Sequence, residues 1–292
     1  MTVGNKLSAR DKRWLEIREE KWRAYEECGH PFPVDVVGIE TVGSCNRACG
    51  YCPVSVHPKR QGRLSTEVVE AFFDQLADLG FEKKIVFHFY NEPMLEKRLN
   101  HFVKYAAEKM PRAIKWLSTN GDLLDKESLI RLIDDGASAI KVSSHDAETF
   151  ERFQELHQAL ESEYAEKLLI RDFYKVGDGT KARKITNRGG SIDLSAYGDD
   201  VTLEAAKTGC GRVEFYVDYL GNVHPCCMDF NGGYILGNIL ESTIIDIWNV
   251  SKNQYREHFF GSYTKDVCLK CAGLSSAKAE GAAALATVLG EG

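Results

Sequence analysis

The chain has 292 residues, enough for one large domain or two ordinary ones with a sizeable hydrophobic core. Its 37 basic and 43 acidic side chains give a net charge of −6, which argues against nucleic-acid binding through bulk positive potential and favours small-molecule or protein partners. No apolar run approaches the roughly 20 residues that cross a bilayer, and the charged start lacks the apolar core of a signal peptide. We therefore expect a cytoplasmic protein, in which nine cysteines indicate metal or redox chemistry rather than disulfides.

The first two thirds of the chain carry the pattern of strand–helix units. Apolar residues at helical intervals predict an amphipathic helix from about residue 7 to about residue 27, ended by Gly29. Apolar runs then alternate with helical patterns, which is typical of an α/β fold with a parallel sheet. The predicted strands cover residues 35–42, 85–90, 113–117, 139–142 and 168–174. The intervening helices are predicted after Ser65, after Pro93, and from about residues 126 and 147.

The final third changes character. Between residues 176 and 190 hydrophobic residues become sparse and glycine and basic residues accumulate, so we place a domain boundary near residue 190. Beyond it, residues 213–218 and 222–225 predict a β-hairpin around Gly221, and residues 244–259 predict a helix. The predicted organisation is a helical lead over 1–33, an α/β unit over 34–190, a smaller unit over 191–274 and an Ala-rich tail over 275–292.

Three cysteines follow the first predicted strand at fixed short spacing. Cys45, Cys49 and Cys52 are separated by gaps of three and two residues. Thiolates on such a loop can bind three corners of a cubic iron–sulfur cluster and leave the fourth iron open to a substrate. Zinc is the alternative, although zinc requires a fourth ligand at comparable spacing.

This CxxxCxxC loop resembles that of the radical SAM superfamily, whose members fold as partial TIM-like barrels. The resemblance implies a (β/α)6 barrel whose open iron chelates S-adenosylmethionine, so that reductive cleavage yields a 5′-deoxyadenosyl radical. Tyr51 matches the aromatic position before the third cysteine. Glu92 and Pro93 match the end of the family's GGEP motif, which contacts the amino group of the cofactor, although Tyr90 and Asn91 replace both glycines.

Two later turns extend the resemblance. Asn120 lies in a segment similar to the family's TNG turn, and Ser143 or Ser144 lies where the family often has a serine that contacts the ribose. Asn-Gly is also a common turn, and a serine at a strand end often caps the next helix. A contact with the cofactor and a purely structural role therefore both stay open for these residues. The cofactor contacts implied by the resemblance are Tyr51, Glu92, Asn120 and Ser143.

Four cysteines in the final segment form a second group, Cys210, Cys226, Cys268 and Cys271. The GxxxxC hairpin that ends in Cys226 resembles the SPASM and twitch extensions of radical SAM enzymes, which bind auxiliary iron–sulfur clusters. Four cysteines correspond to the shorter twitch form with one auxiliary [4Fe–4S] cluster, which four thiolates saturate and make an electron carrier. A structural zinc on the same thiols stays the alternative.

Two cysteines belong to neither group. Cys28 follows the leading helix and is interpreted as an ordinary thiol. Cys227 follows Cys226 and is either a small buried residue or a catalytic thiol that donates a hydrogen atom to a substrate radical.

The resemblance implies an enzyme that positions one substrate C–H bond for a radical and passes the remaining electron to the second cluster. We expect an oxidoreductase that dehydrogenates an alcohol carbon of an amino sugar or aminocyclitol, as in antibiotic biosynthesis, with flavodoxin or ferredoxin as electron donor. The alternatives are an epimerase of such compounds with Cys227 as hydrogen donor, a peptide maturase, and a non-catalytic zinc-binding module. Substrate contacts are expected among side chains at or after strand ends, namely His88, His145, Asp146, Arg171, Asp172 and Arg188.

Overall fold

A computed structural model of the chain describes residues 9–57, 61–172, 187–193, 213–260 and 266–271. The Ala-rich tail and Cys210 therefore lie outside the described residues. The strands are β1 (Val36–Ile39), β2 (Lys84–Val86), β3 (Ile114–Thr119), β4 (Ala139–Ser144), β5 (Leu168–Asp172), β6 (Glu214–Val217), β7 (Asn222–His224) and β8 (Gly237–Asn238). The α-helices are α1 (Ala9–Glu27), α2 (Thr66–Asp78), α3 (Leu99–Lys109), α4 (Lys126–Asp134), α5 (Ala147–Gln158), α6 (Ser162–Ala165), α7 (Ile244–Phe260) and α8 (Asp266–Cys271).

All eight described strands belong to one open sheet in the order β5-β4-β3-β2-β1-β6-β7-β8. Strands β1 to β5 pair in parallel, which confirms the α/β fold expected from the sequence. Strand β6 also pairs in parallel with β1, with Val36 opposite Glu214, and β7 then continues the sheet as an antiparallel hairpin. The sheet therefore runs without interruption across residue 190, and the domain boundary there stays a prediction.

The helices pack on the sheet through apolar stripes and begin at capping side chains. In α2 the hydroxyl of Ser65 accepts a hydrogen bond from the backbone N–H of Val68, and the buried stripe is Val69, Phe72, Phe73 and Leu76. Asp125 and Asp146 cap α4 and α5 in the same way, each through a backbone N–H three residues on. Within the described ranges, no helix has both the length and the apolar character to cross a membrane.

Glycine is required at one point where two neighbouring strands meet. Gly38 on β1 lies opposite Tyr216 on β6, and a Cβ at Gly38 would stand 2.2 Å from Cδ1 of the tyrosine ring. Any other residue would displace the ring, because real Cβ contacts are never this short. The ring of Tyr216 thereby stacks on that of Phe89, with 5.2 Å between their centroids.

Asp35, just before β1, attaches helix α1 to the sheet. Its carboxylate accepts hydrogen bonds from Nζ of Lys21 at 2.8 Å, from Nζ of Lys83 at 3.0 Å and from the hydroxyl of Tyr25. Burial alone would raise the pKa of Asp35, but these hydrogen bonds outweigh it and hold the pKa below its usual range. The carboxylate is therefore ionised throughout the neutral range.

Replacing Asp35 with asparagine is expected to lower the free energy of unfolding by about 1 kcal/mol, because two partly exposed ion pairs and one charged hydrogen bond are weakened. A depressed folded-state pKa contributes stability above the unfolded pKa of about 4 and loses it only in acid. The deficit should therefore be constant between about pH 6 and 8. Thermal unfolding of anaerobically reconstituted protein measures it, with the exposed Asp78→Asn as control. A deficit that grows with pH in this range would contradict the assignment.

Candidate active site

A cavity of about 340 Å³ lies at the carboxyl ends of β1 to β4, where parallel α/β proteins place their functional residues. The three cysteines that follow β1 line it together with polar side chains that follow β2, β3 and β4. Arg188, Tyr216 and Cys227 close it from parts of the chain beyond β5. One cavity thus joins the first cysteine group to the hairpin that carries the second.

The thiols of Cys45, Cys49 and Cys52 face this cavity close to one another. Burial raises the pKa of Cys45 to about 11. A backbone hydrogen bond opposes this shift, whereas the charges of Glu92 and of the two other thiols add to it. No three cysteine, histidine or carboxylate side chains of the described residues meet at a point that would hold a single metal ion. Three thiolates at this spacing can bind three corners of a cubic cluster, so the residues present fit a four-iron cluster.

The cysteine loop is fixed to the ends of β3 and β4 by Arg47. Its Nε donates to Oδ2 of Asp122 at 2.8 Å and its Nη2 donates to Oδ2 of Asp146 at 2.8 Å. Hydrogen bonds from Thr149 and then from Arg47 hold the pKa of Asp146 at about 2. Asp146 caps α5 and binds Arg47, so each of its carboxylate oxygens has a partner within the protein, and its contact with a substrate stays a prediction. Arg47 was missed in the sequence because its partners lie far along the chain.

Glu92 is 2% exposed, and all its described hydrogen bonds are made within the protein. Oε1 accepts from the hydroxyl of Thr119 at 2.6 Å and from the N–H of Met94 at 3.1 Å, and Oε2 accepts from the N–H of Asn120 at 2.8 Å. Burial raises the pKa of Glu92 although these hydrogen bonds oppose it. Glu92 therefore joins the ends of β2 and β3, and its contact with a cofactor stays a prediction, as does that of Asn120.

Two other predicted cofactor contacts also line the cavity. The hydroxyl of Tyr51 is hydrogen-bonded to Nδ1 of His145 at 2.6 Å. Alternation along β4 turns Ser143 into the cavity and Ser144 toward the helices, where Ser144 is fully buried. The structure thus distinguishes two serines that the sequence left equivalent.

Tyr90 and Asn91, which replace the glycines of the family motif, both make hydrogen bonds with the backbone. The hydroxyl of Tyr90 donates to the carbonyl of Cys227 at 2.7 Å, and Oδ1 of Asn91 accepts from the N–H of Phe89 at 3.1 Å. Tyr90 therefore connects the end of β2 to the hairpin, and Cys227 faces the same cavity as Cys52.

The described members of the second cysteine group lie at the hairpin end and in α8. Cys226 and Cys268 are buried, and Cys271 lies three residues beyond Cys268, on the same face of one helical turn. Nδ2 of Asn187 donates to the carbonyl of Lys270 at 2.6 Å, which seats α8 against the turn that carries Arg188. Three thiols of this chemistry fit an iron–sulfur cluster or zinc equally well.

Family comparisons separate these alternatives. Residues 39–177 match the model of the radical SAM superfamily. Residues 210–272 match the SPASM model, described as an iron–sulfur cluster-binding domain, and this range contains all four cysteines of the second group. Both cysteine groups are therefore interpreted as ligands of iron–sulfur clusters and not of zinc.

Two curated relatives match this chain over different lengths. The S-adenosyl-L-methionine-dependent 2-deoxy-scyllo-inosamine dehydrogenase of Niallia circulans is 32% identical over 244 residues, which cover 82% of this chain and 93% of the relative. The Fe-coproporphyrin III synthase of Methanosarcina barkeri is 35% identical over 100 residues, which cover only 24% of that protein. The first match covers most of both proteins, whereas the second covers 34% of this chain.

Among solved structures, BtrN in complex with AdoMet and 2-DOIA superposes with a TM-score of 0.70 at 31% identity, covering 82% of this chain and 92% of BtrN. BtrN in an open conformation gives a TM-score of 0.60 at 29% identity with the same coverage. Streptococcus suis SuiB bound to its precursor peptide SuiA, at 13% identity and a TM-score of 0.50, shares the fold alone.

Proposed function

Because this chain belongs to the radical SAM superfamily, we propose that it dehydrogenates an alcohol carbon of a small polar metabolite of the amino sugar or aminocyclitol class. Family membership makes it a radical SAM enzyme, with S-adenosylmethionine and two [4Fe–4S] clusters as cofactors. The observation that carries the proposal is that Cys52 of the first group and Cys227, beside Cys226 of the second, line one cavity. The dehydrogenase relative that aligns over most of the chain supports it.

In this proposal Cys45, Cys49 and Cys52 hold the first cluster, and Cys210, Cys226, Cys268 and Cys271 hold the second. Tyr51, Glu92, Asn120 and Ser143 surround S-adenosylmethionine. Bound together, these cofactors supply a radical that takes a hydrogen atom from the carbinol carbon and an acceptor for the electron left when the hydroxyl proton departs, so the product is a ketone. A flavodoxin or ferredoxin in the cytoplasm provides the initiating electron.

The chain's own residues bind and orient the substrate. His88 lines the cavity, and its Nδ1 has no hydrogen-bond partner among the described residues. Burial, followed by the charge of Lys141, lowers the pKa of His88 to about 3, so the imidazole is neutral. Because the ring lines the cavity and is neutral, it can form a hydrogen bond with a substrate hydroxyl. Phe89, Tyr90 and Tyr216 pack together beside it and exclude water from the reacting carbon.

One observation favours a second candidate function, epimerisation. Cys227 lines the cavity, so its thiol lies where it can return a hydrogen atom to a substrate radical. Such a reaction abstracts and replaces hydrogen at one carbon on opposite faces, with no net oxidation. The thiol hydrogen exchanges with solvent, which gives the two functions different isotopic outcomes.

The test is anaerobic reconstitution with dithionite and S-adenosylmethionine across a panel of amino sugars, cyclitols and peptides. The dehydrogenase proposal predicts 5′-deoxyadenosine and an equal amount of ketone, with no deuterium incorporated from deuterium oxide. One deuterium per turnover without oxidation, lost in Cys227→Ala and kept in Cys28→Ala, would establish the epimerase instead. Cleavage stimulated by peptides alone would overturn both functions.

A further inference from the structure

Lys141 lines the cavity with a positive charge that no described residue pairs. It lies on the inner face of β4, and its ammonium group has no hydrogen bond or ion pair with any described residue. Burial, and then the charges of Arg171, Lys84 and Arg188, hold the pKa of Lys141 below its usual range. Lys141 therefore lies in a cavity wall with other positive charges nearby.

Arg188 adds a second cation, held in a strained backbone conformation. Its φ is +48°, in the left-handed region that non-glycine residues rarely adopt. The turn is fixed by hydrogen bonds from the N–H groups of Gly190 and Ile192 to the carbonyl of Asn187, both 3.0 Å long. Within the described ranges, the one hydrogen bond of the guanidinium is a weak one to Sδ of Met228 at 3.7 Å. The strain is thus retained at a residue that faces the cavity.

Unpaired cations in a partly buried cavity are costly unless an anion joins them. Among the described residues that line this cavity the one carboxylate is Glu92, whose oxygens already accept three hydrogen bonds. We propose that Lys141 and Arg188 form a subsite for an acidic substituent of the substrate, a carboxylate or a phosphate, beside the hydroxyl site at His88. This inference rests on the proposed function and narrows its substrate to an amino sugar or aminocyclitol that also carries an acidic group.

The position of Lys141 assigns the subsite to the substrate rather than to S-adenosylmethionine. Lys141 precedes Ser143 by two residues on the same strand face, so its Cα lies about 7 Å further than that of Ser143 from the carboxyl edge of the sheet. The proposed cofactor contacts all lie at or beyond that edge. An ammonium group alone would meet two like charges at this depth, whereas an acidic group completes two charge-assisted hydrogen bonds.

The test measures binding to the reconstituted enzyme with S-adenosylmethionine present, by isothermal titration calorimetry. Inorganic phosphate and acetate probe the subsite itself, and glucose, glucosamine, glucuronate and glucose 6-phosphate vary the charge on one ring. The variants are Lys141→Gln and Arg188→Gln, with Arg188→Lys to retain the charge and the exposed Arg131→Gln as control. In Arg188→Gln the new side chain meets the same backbone constraint as arginine does, so the change is confined to the side chain.

We expect the acidic probes to bind at least about tenfold more tightly than neutral ones, and each glutamine variant to lose this preference while the affinity for S-adenosylmethionine stays within about twofold. A preference for carboxylates or for phosphates identifies the acidic group. Equal binding of all probes, or none, would overturn the inference, as would parallel loss of S-adenosylmethionine binding.

If neutral or amine-bearing polyols alone stimulate 5′-deoxyadenosine formation, the subsite is wrong and the proposed function stands. If peptides alone stimulate it, the proposed function is wrong whatever the anions do.

Discussion

Replacing Cys49 with alanine is expected to abolish cleavage of S-adenosylmethionine, lowering the rate of 5′-deoxyadenosine formation by more than about 100-fold. Changes outside the ligand set of a metal site already cost about 10- to 100-fold, so loss of one of three thiolate ligands should cost more. The iron content of reconstituted protein should fall from about eight atoms per chain to about four, because the second cysteine group is untouched. Iron analysis and chromatography of the nucleoside products measure both effects.

The control for this variant is Cys28→Ala. Cys28 is exposed, and its described hydrogen bonds are with the adjoining backbone: Sγ donates to the carbonyl of Tyr25 at 3.1 Å and accepts from the N–H of His30 at 3.4 Å. It should therefore keep full iron content and activity. Equal loss in both variants would show a general effect of removing thiols, and unchanged cleavage in Cys49→Ala would remove the loop from the cofactor site.

Replacing Cys268 with alanine is expected to separate radical formation from oxidation. The first cysteine loop lies on other elements, so substrate should still stimulate 5′-deoxyadenosine, while ketone formation falls by more than about 100-fold because the electron acceptor is lost. The iron content should again fall to about four atoms per chain. The ratio of ketone to 5′-deoxyadenosine is the quantity to measure.

Leu269→Ala provides a matched control for this second variant. Leu269 neighbours Cys268 in α8 and packs against the same small apolar cluster around Tyr234, but it offers no thiol. Its truncation tests whether loosened packing alone uncouples the reaction. A ketone yield that stays equal to the 5′-deoxyadenosine yield in Cys268→Ala would rule out electron transfer to this group.

Local sequence patterns predicted the elements well where side chains alternate between a buried and an exposed face. The helix expected from residue 126 is α4 (Lys126–Asp134), because an Asp125 cap and a regular apolar stripe specify it without help from the rest of the chain. The cysteine spacings were equally informative, because three ligands on one loop need no distant partner to be recognised.

The second strand shows where such reasoning stops. Residues 85–90 read as one apolar run, but β2 ends at Val86 and the following residues bend into the cavity wall. The N–H groups there leave the sheet ladder for side chains: Asn91 accepts from Phe89, and Glu40 accepts from Tyr90 at 3.0 Å. The periodicity of a sequence shows where apolar residues lie, but it does not show which group accepts the hydrogen bond of each backbone N–H. It therefore cannot predict that a side chain replaces a neighbouring strand as the acceptor.

The charged part of the site was the least predictable. Arg188 was one of six equivalent candidates, and Lys141 was overlooked as an ordinary strand residue. What distinguishes them is that neither forms an ion pair with a described residue although both line the cavity, a property of the folded chain. The pairing of Arg47 with Asp122 and Asp146 likewise depends on strand ends that meet only in the sheet.

The parallel pairing of β1 with β6 has a consequence for how the enzyme is made. Val36 pairs with Glu214, so the first strand gains its second neighbour only after the intervening 177 residues have left the ribosome (214 − 36 − 1 = 177). Closing so long a loop is entropically costly and slow, and until it closes, the edge of β1 is open to pairing with other chains. The cysteine loop that follows β1 also lacks its cavity wall until then, because Tyr216 and Cys227 arrive with that late segment. We therefore expect iron–sulfur assembly at the first group to follow synthesis of the hairpin, and products truncated before β6 to aggregate rather than load metal.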